Sequence, residues 1–263
     1  MSDNLAKMGA ARVCRTSYHG IECIEKSQAS NVEFQFYLQV APAFRRAGIG
    51  VPELLASDTT TQTLTLEYIP YPIGQDALLQ NPDVLSTIAC IHQFLGNEGG
   101  IFKRHTWLRD KTERALELLK LPDESAAIIS ETEKLSACLF SPSTLISGDT
   151  NAGNWGIREQ GSAVLYDWER FSTGSPAIDL APLIKGMGNI ADFVHIAKRY
   201  QEVSPYCHSP ALAQEIAICK LWVVTEVIDI LYRNNKVELN KYLDWYRFNL
   251  PAWLQKLRFF LNA

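Results

Sequence analysis

The 263-residue chain is 47% hydrophobic and 21% charged, with a net charge of −4 and a pI near 5.8, the profile of an ordinary soluble globular protein of one large or two modest domains. It lacks the basic balance of a duplex nucleic-acid binder, and neither Met1–Lys7 nor Leu221–Leu231, which Glu226 and Asp229 interrupt, reads as a secretion signal or a membrane span. Cys14, Cys23, Cys90, Cys138, Cys207 and Cys219 are scattered, with no C-x-x-C pair, which argues against a zinc site or disulfide framework and predicts a cytoplasmic protein with reduced thiols.

Val13–Tyr18 and Ile21–Ile24 flank His19-Gly20, a pattern that predicts two strands and a tight turn. A helical pattern begins after Ser30, with Ser30 or Asn31 as its cap and Glu33 in its first turn. Leu54–Ala56 and Leu64–Ile69 read as a second hairpin that closes at Pro70-Tyr71-Pro72. Beyond Asp76 the pattern is mainly helical, over Pro82–Leu95, Arg109–Leu121, Ala191–Glu202, Ala211–Arg233 and Val237–Leu261. A short β-rich insert interrupts it at Thr144–Tyr166. The class is therefore α+β, a small β-rich lobe (1–70) joined to a larger, mainly helical lobe (71–263).

The insert carries the chemistry. It places Asp149, Asn154 and Asp167 at strand ends, where three oxygen-bearing side chains can converge. A carboxylate with an amide oxygen suits Mg²⁺, which keeps waters and substrate phosphates as its other ligands. A remaining carboxylate can then take a proton from an attacking hydroxyl. On spacing alone, Asp149 and Asn154 could equally be turn residues that satisfy their own backbone, with Gly148 and Gly153 beside them.

Ser147-Gly-Asp149-Thr-Asn-Ala-Gly-Asn154 resembles the His-Gly-Asp-x-x-x-x-Asn loop of the aminoglycoside phosphotransferase/choline kinase family. Tyr166-Asp167-Trp-Glu169 resembles that family's Ile-Asp-Trp-Glu motif, and Gly174-Ser-Pro-Ala-Ile-Asp179-Leu-Ala181 its Gly-x-Pro-x-x-Asp-Leu-Ala signature. The resemblance implies a two-lobed, protein-kinase-like fold and an ATP-dependent phosphotransferase with an alcohol acceptor. It makes Asp149 the catalytic base, Asn154 and Asp167 the Mg²⁺ ligands, and Asp179 structural.

In the small lobe, Met8–Arg15 resembles the phosphate loop, marked by Gly9 alone, and Ile21–Lys26 the strand with the phosphate-binding Lys26. Glu33 is the expected partner of Lys26, and the backbone of Glu67, Tyr68 and Ile69 the expected seat of adenine. Ile91-His92 resembles the family's Leu-His helix, with His92 structural. One departure is Ser147, which stands where the family has His; a Ser hydroxyl can replace part of that residue's support of the loop. The family's acceptors are small molecules such as aminoglycosides, choline and thiamine. Trp222, Glu226, Asp229, Tyr232, Trp245 and Tyr246 form an acidic, aromatic set that would suit a cationic one, but Trp222, Glu226 and Asp229 lie on an amphipathic helix, where most such aromatics are simply core. A nucleotide-binding pseudokinase scaffold, or a kinase of a protein or carbohydrate polymer, are the alternatives.

Overall fold

The computed structural model describes residues 12–95, 102–141, 143–204 and 211–262. In chain order these form β1 (Arg12–Tyr18), β2 (Ile21–Ser27), α1 (Asn31–Gln35), a π-helical turn (Phe36–Val40), α2 (Ala41–Arg46), β3 (Leu54–Asp58), β4 (Thr63–Glu67), β5 (Tyr71–Pro72), α3 (Gln75–Leu78) and α4 (Pro82–His92). Then follow α5 (Arg109–Leu119), α6 (Asp123–Leu135), α7 (Ala137–Phe140), β6 (Thr144–Ile146), β7 (Trp155–Ile157), β8 (Ala163–Leu165), β9 (Ser172–Gly174), α8 (Ala177–Leu180), α9 (Ile190–Val203), α10 (Leu212–Arg233) and α11 (Leu239–Leu261). Two compact units result: Met1–Arg104 with Thr144–Thr173, and His105–Ser143 with Gly174–Ala263.

The first unit carries an antiparallel sheet in the order β1-β2-β4-β3. The β1–β2 hairpin pairs Tyr18 with Ile21 across a two-residue turn, in which His19 and Gly20 have φ of 50° and 80°. That is the primed turn geometry whose twist matches the strands. Ser30 caps α1, its hydroxyl accepting from the Glu33 N–H at 3.2 Å. The helix then widens: the Ala41 N–H reaches the Phe36 carbonyl, five residues back. Pro42 has no N–H and its ring crowds the carbonyl four residues earlier, which accounts for the wider turn.

Strands β5, β7 and β8 form a second antiparallel sheet in this unit. Gly50 lets the two layers approach. A Cβ there would lie 2.0 Å from the Ala163 carbonyl oxygen, and the Gly50 carbonyl accepts from the Leu165 N–H at 2.9 Å. The core beneath is aromatic. Phe36 and Trp168 stack with centroids 4.1 Å apart and planes 9° apart, and Phe44 and Phe171 pack edge-on against both.

The second unit is helical around α10, whose buried positions surround nearly its whole circumference, as expected of a central helix. Helix α5 is tied to it by ion pairs from Lys111 to Glu226 at 2.7 Å and from Arg114 to Asp229. The motif residue Asp179 is fully buried in α8. Among the described residues no helix is long and apolar enough to cross a membrane, and Cys14, Cys23, Cys90, Cys138 and Cys219 are free thiols.

Candidate active site

The expected site residues that the structure describes belong to the first unit, and Lys26, Glu33, Asp149, Asn154 and Asp167 are each placed by a local device. Strand β2 pairs Lys26 with Leu64 on β4, and the Lys26 side chain is buried. The Ser30 cap fixes the first turn of α1, which buries Glu33 completely. Asp149 follows β6 through Gly148, whose φ of 79° falls where glycine turns without strain. Asn154 ends a short 3₁₀ turn ahead of β7, and Asp167 follows β8. Gly9 lies outside the described residues.

Lys26 is the junction of this group. Its Nζ lies 2.6 Å from Glu33 Oε2 and 2.8 Å from Asp167 Oδ1. Burial drives the ammonium pKa down, but the charges of Glu33 and Asp167 and the hydrogen bonds they accept outweigh burial, and the net shift is upward. Asp167 itself has φ 69°, a left-handed conformation that Asp tolerates better than most residues. The next residue explains how it is held. The Trp168 N–H donates to Glu33 Oε1 at 3.3 Å while its indole stacks on Phe36, three residues beyond Glu33. The helix with the acid and the loop with Asp167 are thus locked together by one ring pair. Trp168→Ala removes a fully buried indole and should cost about 3–5 kcal/mol of stability. Denaturant unfolding measures this, and a loss under about 1 kcal/mol would show that the stack does not anchor the loop.

Asp149 and Asn154 are joined through the backbone. Asn154 Nδ2 donates to the Asp149 carbonyl at 2.9 Å, and the Tyr166 N–H donates to the Asn154 carbonyl at 3.0 Å, which links the loop to the end of β8. The Asp149 carboxylate accepts from Asn151 Nδ2 at 2.6 Å, and Asn151 Oδ1 in turn accepts from the Gly153 N–H at 2.7 Å. Ser147 is buried, and its Oγ accepts from the Asp149 N–H at 3.4 Å. Arg170 Nε donates to the Gly148 carbonyl at 3.0 Å. The Asp149 pKa lies above the usual carboxylate value, chiefly because of burial and also because of the Asp167 charge, with Arg170 and Asn151 opposing. Glu169 is raised likewise, by burial and then by Asp167.

Beyond the expected site residues, Asn151 and Trp168, which lie inside the quoted motifs without a role of their own there, and Arg158, which lies outside them, act on the site's geometry. Arg158 grips Glu67 in a fork, Nε to Oε1 at 2.7 Å and Nη2 to Oε2 at 2.8 Å, and donates to the Val51 carbonyl at 2.9 Å. The Glu67 side chain therefore holds the end of β4. Tyr68, the next residue, has the Arg15 guanidinium 4.2 Å over its ring, and Ile69 packs closely on Gly156. Among the described residues no three His, Cys, Asp or Glu side chains form a metal cage. The donor pair Asn154 and Asp167 still suits a hard cation that keeps water and phosphate ligands. Asn154 spends its N–H on a carbonyl, so its Oδ1 is left to accept, and Asp167 offers an oxygen beyond the one on Lys26.

In the acidic, aromatic set of the helical unit, the core reading holds for Trp222, Asp229 and Tyr246, which are buried. Glu226 and Asp229 are neutralised by Lys111, Arg114 and Arg233, and Trp222 is core.

Residues 24–204 match the model of the phosphotransferase enzyme family, known as APH. The chain belongs to this family. Among solved structures, choline kinase LicA from Streptococcus pneumoniae is 15% identical, with a TM-score of 0.63 over 98% of this chain and 93% of that one. Spectinomycin phosphotransferase APH(9)-Ia, solved with ADP and spectinomycin, is 15% identical, with a TM-score of 0.62 over 98% and 91%. Macrolide 2′-phosphotransferase MphH from Brachybacterium faecium is 12% identical, with a TM-score of 0.62 over 95% and 92%. No curated protein sequence matches the chain. The phosphotransferase fold is thus the α+β, kinase-like one that the motifs imply.

Proposed function

We propose that this phosphotransferase is a small-molecule kinase that moves the γ-phosphoryl group of ATP to a hydroxyl of a small acceptor. The observation that carries the reading is the Lys26–Glu33–Asp167 ion cluster, with Asp149 and Asn154 fixed on the adjoining loop. In it, residues 1–70 hold the nucleotide, and 71–263 supply the catalytic loops and the acceptor site.

Lys26, kept charged by two carboxylates, is suited to the α- and β-phosphates, and Glu33 holds it in place. Gly9 would cover the phosphates, and the main chain of Glu67, Tyr68 and Ile69 would hold adenine. Asn154 and Asp167 would hold Mg²⁺, which when bound with ATP neutralises charge on the transferring group. Asp149 is set to orient the acceptor hydroxyl and take its proton, with Asn151 fixing one carboxylate oxygen. Positioning and electrostatics supply most of the rate gain, because phosphoryl transfer leaves little covalent chemistry to the protein.

Glu169 adds a further carboxylate, whose pKa burial and then the charges of Asp167 and Asp149 raise. That acidity favours a cationic alcohol, in line with relatives named for choline and spectinomycin. Amino alcohols and aminocyclitols at fixed Mg·ATP form the test panel. The reading expects magnesium-dependent ADP release with at least one of them, lost in Asp149→Asn. Thermal stabilisation by ATP with no turnover on any acceptor would instead mark a nucleotide-binding scaffold.

A further inference from the structure

The segment 67–73, which runs from the end of β4 through β5, is fastened to the four consecutive residues that follow Asn154. The Trp155 carbonyl accepts from the Ile73 N–H at 3.0 Å. Gly156 pairs with Pro72 and Ile157 with Tyr71. Ile69 rests on Gly156, where a Cβ would lie 2.6 Å from Ile69 Cγ2. Arg158 closes the row with its fork on Glu67 and its bond to the Val51 carbonyl. Strand β7 thus ties the segment that would hold adenine to the residue that would hold the ion.

The fork is prepared on both sides. The Arg158 main chain is fixed by its own turn, its N–H donating to the Ser162 carbonyl at 3.0 Å and its carbonyl accepting from the Gly161 N–H at 2.9 Å. Glu67 Oε2 also accepts from the Glu53 N–H at 3.0 Å, and the Glu67 N–H donates to the Glu53 carbonyl at 2.8 Å. Burial raises the Glu67 pKa, but the hydrogen bonds from Arg158 and Glu53 and the Arg158 charge outweigh it, so the net shift is downward. A bidentate guanidinium fixes direction as well as charge, which an ammonium cannot. The two side chains are 22% and 27% exposed and line a cavity of about 540 Å³, so they fill no place in the core. They orient main chain instead.

We propose that Arg158 is a positioning residue for the nucleobase: through Glu67 it sets the main chain of Glu67–Ile69 at a fixed place relative to Asn154. The proposal deepens the phosphoryl-transfer reading and rests on it. Arg158 reaches Glu67 and Val51, whereas the phosphates and the ion would fall to Lys26, Asn154 and Asp167. Its loss should therefore be felt by the base and not by the phosphates.

Calorimetric titration of the full chain with Mg·ADP and with Mg·tripolyphosphate, which lacks the base, tests it. Arg158→Gln should weaken Mg·ADP by about fivefold or more, the scale on which residues outside a site alter binding, and leave Mg·tripolyphosphate within about twofold. Arg158→Lys, which keeps the charge and loses the fork, should recover only part of the loss. Glu67→Gln should imitate Arg158→Gln, and the double variant should bind no more weakly than either. A wild type that binds Mg·ADP while both Arg158 variants bind it equally well, or lose both probes to the same extent, would overturn the proposal alone. A wild type that binds no Mg·ADP would overturn the phosphoryl-transfer reading and the proposal with it.

Discussion

Asp149→Asn should reduce phosphoryl transfer by about 10²–10⁴-fold, the range that a positioned general base contributes. Nucleotide binding should hardly change, because the Asp149 carboxylate is bonded to Asn151, and Lys26 is bonded to Glu33 and Asp167. The raised pKa of Asp149 adds a pH signature. Only the ionised carboxylate accepts a proton, so the acid limb of kcat/KM should lie above the ordinary Asp value. Arg170→Gln, which removes a charge that favours the ionised form, should move that limb to higher pH.

The stability consequence has a definite sign. A raised folded-state pKa means that the native state holds the proton more tightly than the unfolded chain does. Wild-type stability therefore falls as pH rises from the unfolded value through the folded one. Asp149→Asn removes that cost, so at neutral pH the variant should match or exceed the wild type, and the difference should shrink on acidification. Chemical unfolding at several pH values, alongside turnover, measures both effects. Undiminished turnover would remove Asp149 from the reaction.

Asp167→Asn should weaken ADP binding in the presence of Mg²⁺ by at least the 10–100-fold, roughly, that changes around metal ligands cost. Asn is the informative replacement because it tolerates the left-handed φ of 69° at this position, whereas Ala would add backbone strain. Without Mg²⁺ the same substitution should matter far less, and calorimetry with and without the ion separates the two contributions. An equal loss under both conditions would assign Asp167 to holding Lys26 alone.

What was legible in the sequence follows from how local each signal is. The His19-Gly20 hairpin, the Ser30 cap and the long helices α9, α10 and α11 rest on turn chemistry, capping or sustained periodicity, and all lie where the pattern placed them within a few residues. Helix α6 was not predicted. Its buried stripe is Ser125, Ile128, Ile129 and Thr132, so two of four core positions are polar and the apolar period is broken. Thr132 satisfies its hydroxyl on the Ile128 carbonyl at 2.8 Å, which is how a polar residue sits there. The π-helical turn at Phe36–Val40 was also missed, because periodicity does not register one extra residue per turn.

The candidate site shows the same division. Asp149, Asn154 and Asp167 sit in short contiguous motifs, so their spacing could be read directly. The stack of Phe36 on Trp168 and the fork of Arg158 on Glu67 join residues far apart in the chain, and no local pattern announces them. The same holds for the acidic residues of α10, since the partners of Glu226 and Asp229, Lys111 and Arg114, lie on another helix.

The central claim is that Asn154 and Asp167 together seat a divalent ion beside Asp149. Paramagnetic resonance of Mn²⁺ titrated into the protein with ADP reads that seat directly. Wild type and Asp149→Asn should both bind the ion with the nucleotide, and Asn154→Ala and Asp167→Asn should each lose it. Mn²⁺ binding of the same strength in all four proteins would contradict the assignment.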